Sequence, residues 1–111
     1  MAKVDEIYIG SDLKLNVHIE PIGTFDMDSF NFSVKLVAYS PFGKSDKSVT
    51  ISKDKATRLD NGDYMVWCNT QELGLGHLYA IITCLVPDAQ IGKNRTEIVR
   101  VDTNIDIIDV E

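Results

Sequence analysis

The chain has 111 residues, 44% of them apolar and 25% charged, with a net charge of −6; that length holds one folded core and is too short for two. The negative balance sets it apart from nucleic-acid binders, which gather positive charge on one face, so no nucleic-acid partner is expected. No apolar run reaches the roughly 18 residues of a membrane-crossing helix, the longest being Leu78 to Val86, so no membrane partner is expected either.

The opening residues Met1 to Glu6 lack the basic and apolar regions of a secretory leader. A short first strand is predicted at Ile7 to Ile9. After Gly10-Ser11, the residues Leu13, Leu15, Val17 and Ile19 alternate with Asp12, Lys14, Asn16, His18 and Glu20, which predicts a strand with one buried face. The connection Pro21 to Ser29 then places Ile22, Phe25 and Met27 outside any strand, where apolar side chains are costly unless covered. They either fold back over one end of the domain or meet a partner chain. Phe42, at the tip of Ser40 to Lys44, poses the same alternative.

Between these two connections, Phe30, Phe32, Val34, Leu36 and Ala38 alternate with Asn31, Ser33 and Lys35, and beyond the second connection Val49 and Ile51 mark a short strand. Asn61-Gly62 suits a tight hairpin between Leu59 and Tyr64. Tyr64 to Cys68 and Leu78 to Val86 are richer in apolar residues, as in strands near the centre of a sheet. Tyr64 and Trp67 fall on opposite faces by parity, and Trp67 reads most simply as a core aromatic, with a sugar-stacking platform as the other option. Pro87-Asp88 is a turn signal. In the last strand Val99, Val101, Thr103, Ile105 and Ile107 face one way, and Arg100, Asp102, Asn104 and Asp106 the other. That assignment predicts that Val101→Asp unfolds the domain while Arg100→Asp does not.

About seven short strands with turn residues between them read as a single all-β domain over residues 1–111, an antiparallel sandwich of immunoglobulin-like type, with a small barrel as the alternative. Cys68 and Cys84 read as thiols, since two cysteines in an unexported chain more often sit reduced in a core; an inter-sheet disulfide is the sharper alternative. His18 and His77 lack zinc-ligand spacing from them. Asp26, Asp28, Asp60 and Asp63 read as turn and loop residues before calcium ligands. No phosphate-binding loop, nucleophile elbow or metal motif occurs, so neither an enzyme nor a cofactor is expected. The basic stretch Lys44 to Arg58 and the acidic tail Asp102 to Glu111 are either solvated strand faces or complementary patches between copies.

Several stretches carry a resemblance. Ile9-Gly10-Ser11-Asp12-Leu13-Lys14-Leu15-Asn16-Val17 resembles the opening of the immunoglobulin-like N-terminal domain of phage baseplate upper proteins. Gly62-Asp63-Tyr64-Met65-Val66, Asn69-Thr70 and Leu73-Gly74-Leu75-Gly76-His77-Leu78 resemble its central strand, crossover and following strand. Pro87-Asp88 and Arg95-Thr96-Glu97-Ile98-Val99 are similar to small virion proteins of Bacteroidetes phages. The resemblance implies a non-enzymatic structural and attachment module of a bacteriophage virion, made in the host cytoplasm. It would decorate a capsid, join a head fibre, or serve the tail or baseplate. Its partners would be capsid, fibre or tail subunits, with several copies per particle. Baseplate upper proteins continue into helical and stem regions, so fibre length and trimerisation by a coiled coil are not expected to carry over from the resemblance. A small carbohydrate-binding sandwich is the rival expectation. Ile22, Phe25, Met27 and Phe42 are the candidate partner contacts.

Overall fold

A computed structural model of the chain describes residues 4–19, 30–59 and 62–110. In chain order the strands are β1 (Asp5–Tyr8), β2 (Asp12–His18), β3 (Asn31–Ser40), β4 (Gly43–Ser52), β5 (Thr57–Arg58), β6 (Asp63–Asn69), β7 (Gly76–Asp88) and β8 (Lys93–Ile108). One-turn 3-10 segments at Lys53–Lys55 and Thr70–Glu72 are the helical elements among the described residues. The strands form a five-stranded sheet, β1-β8-β7-β3-β4, and a three-stranded sheet, β2-β6-β5. The two enclose one apolar cluster, so the fold is an all-β sandwich.

Period-2 alternation builds that cluster. Phe32, Val34, Leu36 and Ala38 on β3 and Leu78, Ala80, Ile82, Cys84 and Val86 on β7 point inward from the larger sheet. From the smaller sheet come Leu13, Tyr64, Val66 and Cys68. Their register decides the face of β6: Leu13 stands beside Cys68, Leu15 beside Val66 and Val17 beside Tyr64. Residues directly opposite in an antiparallel pair share a face, so Tyr64 goes in and Trp67 goes out. Trp67 is 58% exposed, which corrects its reading as a core aromatic. Tyr64 packs edge-on against Phe32, ring centroids 4.6 Å apart. Cys68 and Cys84 are free, buried thiols. Burial pushes the Cys68 thiol up to about 11, helped by Glu72 and Asp12, and burial also raises Cys84.

Several elements differ from those the sequence predicts. β4 begins at Gly43, well before Val49, because its first residues are exposed at the sheet edge and carry no apolar alternation. Pro87-Asp88 ends β7 instead of forming the turn, and Pro87 stands beside Asn94 next to the hairpin. β5 is a two-residue addition to the predicted set. The hairpin around Gly62 is present, with φ +90 at Gly62 and the Leu59 N–H donating to the Asp63 carbonyl at 2.9 Å.

Buried Thr70 fixes one end of the sandwich. Its hydroxyl donates to the Ser11 carbonyl at 2.9 Å and accepts from the Gly10 N–H at 2.9 Å, while its own N–H donates to the Ser11 carbonyl. The crossover between the sheets is thereby tied to the β1–β2 turn. Gly76 lets β7 start against β3: a Cβ there would lie 2.5 Å from the Tyr39 carbonyl oxygen.

Candidate docking surface

The two sheets are unequal, and among the described residues the mismatch leaves one flank open. β2 is an outer strand of the smaller sheet, and beneath it lie β7 and β8. Leu15 and Val17 on β2 and Ala80, Ile82, Val101 and Thr103 on the larger sheet line a cleft of about 360 Å³. It adjoins a hollow of about 150 Å³ formed by His18, Ile19, Ile82, Cys84, Glu97, Val99 and Val101. Val99 and Val101 have the inward parity that the sequence predicts, yet they are 55% and 39% exposed. The expectation that Val101→Asp unfolds the domain is therefore corrected: the residue faces the core side but is not covered.

Among the described residues, part of the backbone along the cleft is also unpaired. Ile19 N–H donates to the Gly62 carbonyl and Thr70 N–H to the Ser11 carbonyl, so the odd-numbered residues of β2 direct their backbone groups at β6. Alternate residues of a strand point their N–H and C=O to opposite sides. Lys14 and Asn16 accordingly direct theirs to the side on which no described strand pairs with β2.

At the far end of the larger sheet, on its outer face, a polar cluster surrounds His77. Its Nδ1 lies 2.5 Å from Asp106 Oδ1 and its Nε2 2.6 Å from Asp102 Oδ1. A neutral imidazole carries one N–H, so this doubly bonded arrangement is that of the imidazolium. Asp106 first and then Asp102 hold the His77 pKa above its ordinary value. Asp102 is held below the usual carboxylate range by the Asn104 N–H and by His77. Alongside, the Arg100 guanidinium lies 4.0 Å from the Tyr79 ring centroid, and Tyr79 packs edge-on against Tyr39. These groups close the β7–β8 irregularity, where Leu78 pairs with Ile105 but Tyr79 with Asp102. The cluster clamps β7 to β8 across that irregularity. No group of three or more His, Cys, Asp or Glu among the described residues is placed to hold a metal ion.

Of the predicted contact residues, Phe42 is 99% exposed at the β3–β4 turn. Ile22, Phe25 and Met27 lie outside the described residues. The residues flanking that connection, Ile19 and Phe30, stand at the other end of β3 from Phe42. Ten strand residues separate the two ends, a span of ~30 Å, so Phe42 does not share a patch with Ile19 and Phe30. Sequence reasoning missed the cleft, because alternation reports a residue's face and not whether anything covers it. The basic stretch and the acidic tail lie largely toward opposite sides of the larger sheet, on its edge strand β4 and on β8, which is next to the other edge strand β1. Compared with known protein families, with curated proteins and with solved structures, the chain matches none.

Proposed function

We propose that the chain is a non-enzymatic structural and attachment module of a bacteriophage particle, docking to other virion subunits through protein contacts. The observation that carries this reading is the open flank: an apolar cleft bordered by a rigid, hydrogen-bonded frame. Interfaces draw most of their energy from a few desolvated apolar anchors held in such pockets. The resemblance to phage baseplate and small virion proteins supplies the setting. The strand orders β2-β6-β5 and β8-β7-β3-β4 support the immunoglobulin-like assignment, since they correspond to B-E-D and G-F-C-C′ of that architecture.

The rival carbohydrate reading needs several coplanar exposed aromatics. Tyr8, Phe42 and Trp67 are exposed, but they stand on β1, at the β3–β4 turn and on the outer face of β6. They do not make one platform. The test is whether the chain belongs to particles. Density-banded virions from the phage that encodes it should contain the chain at a fixed ratio to a capsid, fibre or tail subunit, by quantitative mass spectrometry. Banded particles without it would sink the proposal.

A further inference from the structure

We infer that the flank between β2 and β8 takes one extended segment of a different polypeptide, which adds to β2 as a fourth strand of the smaller sheet and covers Val99 and Val101. The inference rests on the attachment reading and names the partner's chemistry.

Two independent features converge on the same place. The first is backbone: Lys14 and Asn16 turn their N–H and C=O away from β6, toward the cleft's open side. Only an extended chain matches donors and acceptors repeating every second residue. The second is apolar: Ile82, Val99 and Val101 form the floor over which such a strand would run. β2 covers the edge of that floor and leaves Val99 and Val101 exposed, where the next strand of the smaller sheet would lie. Strands are spaced by about 4.8 Å and packed sheets by about 10 Å, so a strand placed beside β2 reaches the floor with every second side chain.

The geometry dictates the segment's pattern. Inward positions are medium-sized and apolar, Val or Ile, to fill the space above Val99 and Val101. Outward positions are polar. At the end of the cleft nearer β1 the exposed carboxylate with core-facing parity is Asp5, beside Ile105 in the strand register. With the chain's net charge of −6, that end favours a Lys or Arg on the segment.

The probe is a synthetic peptide alternating Val and Thr over seven residues, with a Lys at each end. A second peptide of the same sequence carries N-methyl groups on the amides that would face β2. The full chain is studied by amide hydrogen exchange and two-dimensional NMR with up to millimolar peptide. The first peptide should slow exchange at Lys14 and Asn16 by about tenfold or more, as occupancy well above Kd requires, and shift the Val99 and Val101 signals. The methylated peptide should do neither. Asn16→Pro should fold, because its N–H takes no part in the β2–β6 ladder and edge strands tolerate proline, yet lose binding at least tenfold. Val99→Lys combined with Val101→Lys should lose it too.

Equal binding of the methylated peptide, or no response at millimolar peptide, overturns the inference. So does full protection of Lys14 and Asn16 in the isolated monomer, because residues of the chain itself would then fill the flank. Protection that appears only with concentration-dependent dimerisation names a second copy as the occupant and also overturns it. If folded Asn16→Pro still enters particles at full occupancy, strand addition fails and the attachment reading stands. A wild-type chain that binds the peptide but is absent from particles gives the reverse result.

Discussion

Strands β7 and β8 lie side by side with nearly the same alternation, and their inner faces fare very differently. On β7 the five inward residues Leu78, Ala80, Ile82, Cys84 and Val86 are all buried. On β8, Ile107 is buried, whereas Val99 and Val101 lie open on the same face. The difference comes from neighbours. β7 has a strand on each side, β8 and β3, and the smaller sheet beneath. β8 has β7 on one side, but on the other only β1, which reaches from Ile105 to Ile108. Alternation therefore fixes the direction a side chain takes, and coverage depends on how many strands the opposite sheet supplies.

The comparison breaks most visibly in the core. Leu78→Ala should cost ~2–5 kcal/mol by urea denaturation, since a fully buried leucine leaves a cavity. Val101→Ala should cost under ~1 kcal/mol, because its transfer from water is incomplete. Equal costs would mean that the flank is closed in solution. A contrast of the same kind separates the faces of β6. Tyr64→Phe should be neutral or stabilising within ~1 kcal/mol, as the Tyr64 hydroxyl is buried with no hydrogen-bond partner among the described residues. A loss of several kcal/mol would reveal a partner for that hydroxyl.

The outer face supplies a smaller, pH-dependent effect. The His77 pKa is raised in the folded chain by Asp106 and Asp102, so the folded state holds the proton more tightly than the unfolded state. Its stabilisation is fully present below the ordinary histidine value of about 6.5 and is lost as pH rises through the raised value. Thermal melts of wild type should fall across that window, and His77→Gln should flatten the fall. An unchanged slope would show that another group carries it. Smallest of all, Phe42→Ser should change stability by no more than about 0.5 kcal/mol, being exposed at a turn and outside the core.

Much of the sandwich was legible in the sequence, because strands with one wet face write their orientation as a period of two. Leu13 to Ile19 and Phe30 to Ala38 needed nothing else. Trp67 was misread because composition favours burying an aromatic, while the pairing of Leu15 with Val66 fixes the face it takes. The His77 clamp was invisible for a different reason. Asp102 and Asp106 would lie ~13 Å apart along a regular strand. Asn104, at φ +60 inside the β7–β8 irregularity, accompanies the change of course that brings both carboxylates to one imidazole. No spacing rule anticipates a bulge, and no local pattern reports an uncovered flank.

The pairing of β1 with β8 has a mechanical side. The two strands run parallel, Asp5 beside Ile105 through Tyr8 beside Ile108. A pull on the chain before β1 and another after β8 would act in opposite directions along the same axis. Such a load shears the contacts between the two strands together, whereas pulling apart a hairpin such as β3–β4 opens its rungs one after another. Rupture under load is governed by the unfolding rate, so resistance would depend on this short ladder more than on total stability. A module tethered at both ends would thus have its strongest grip where the tension enters.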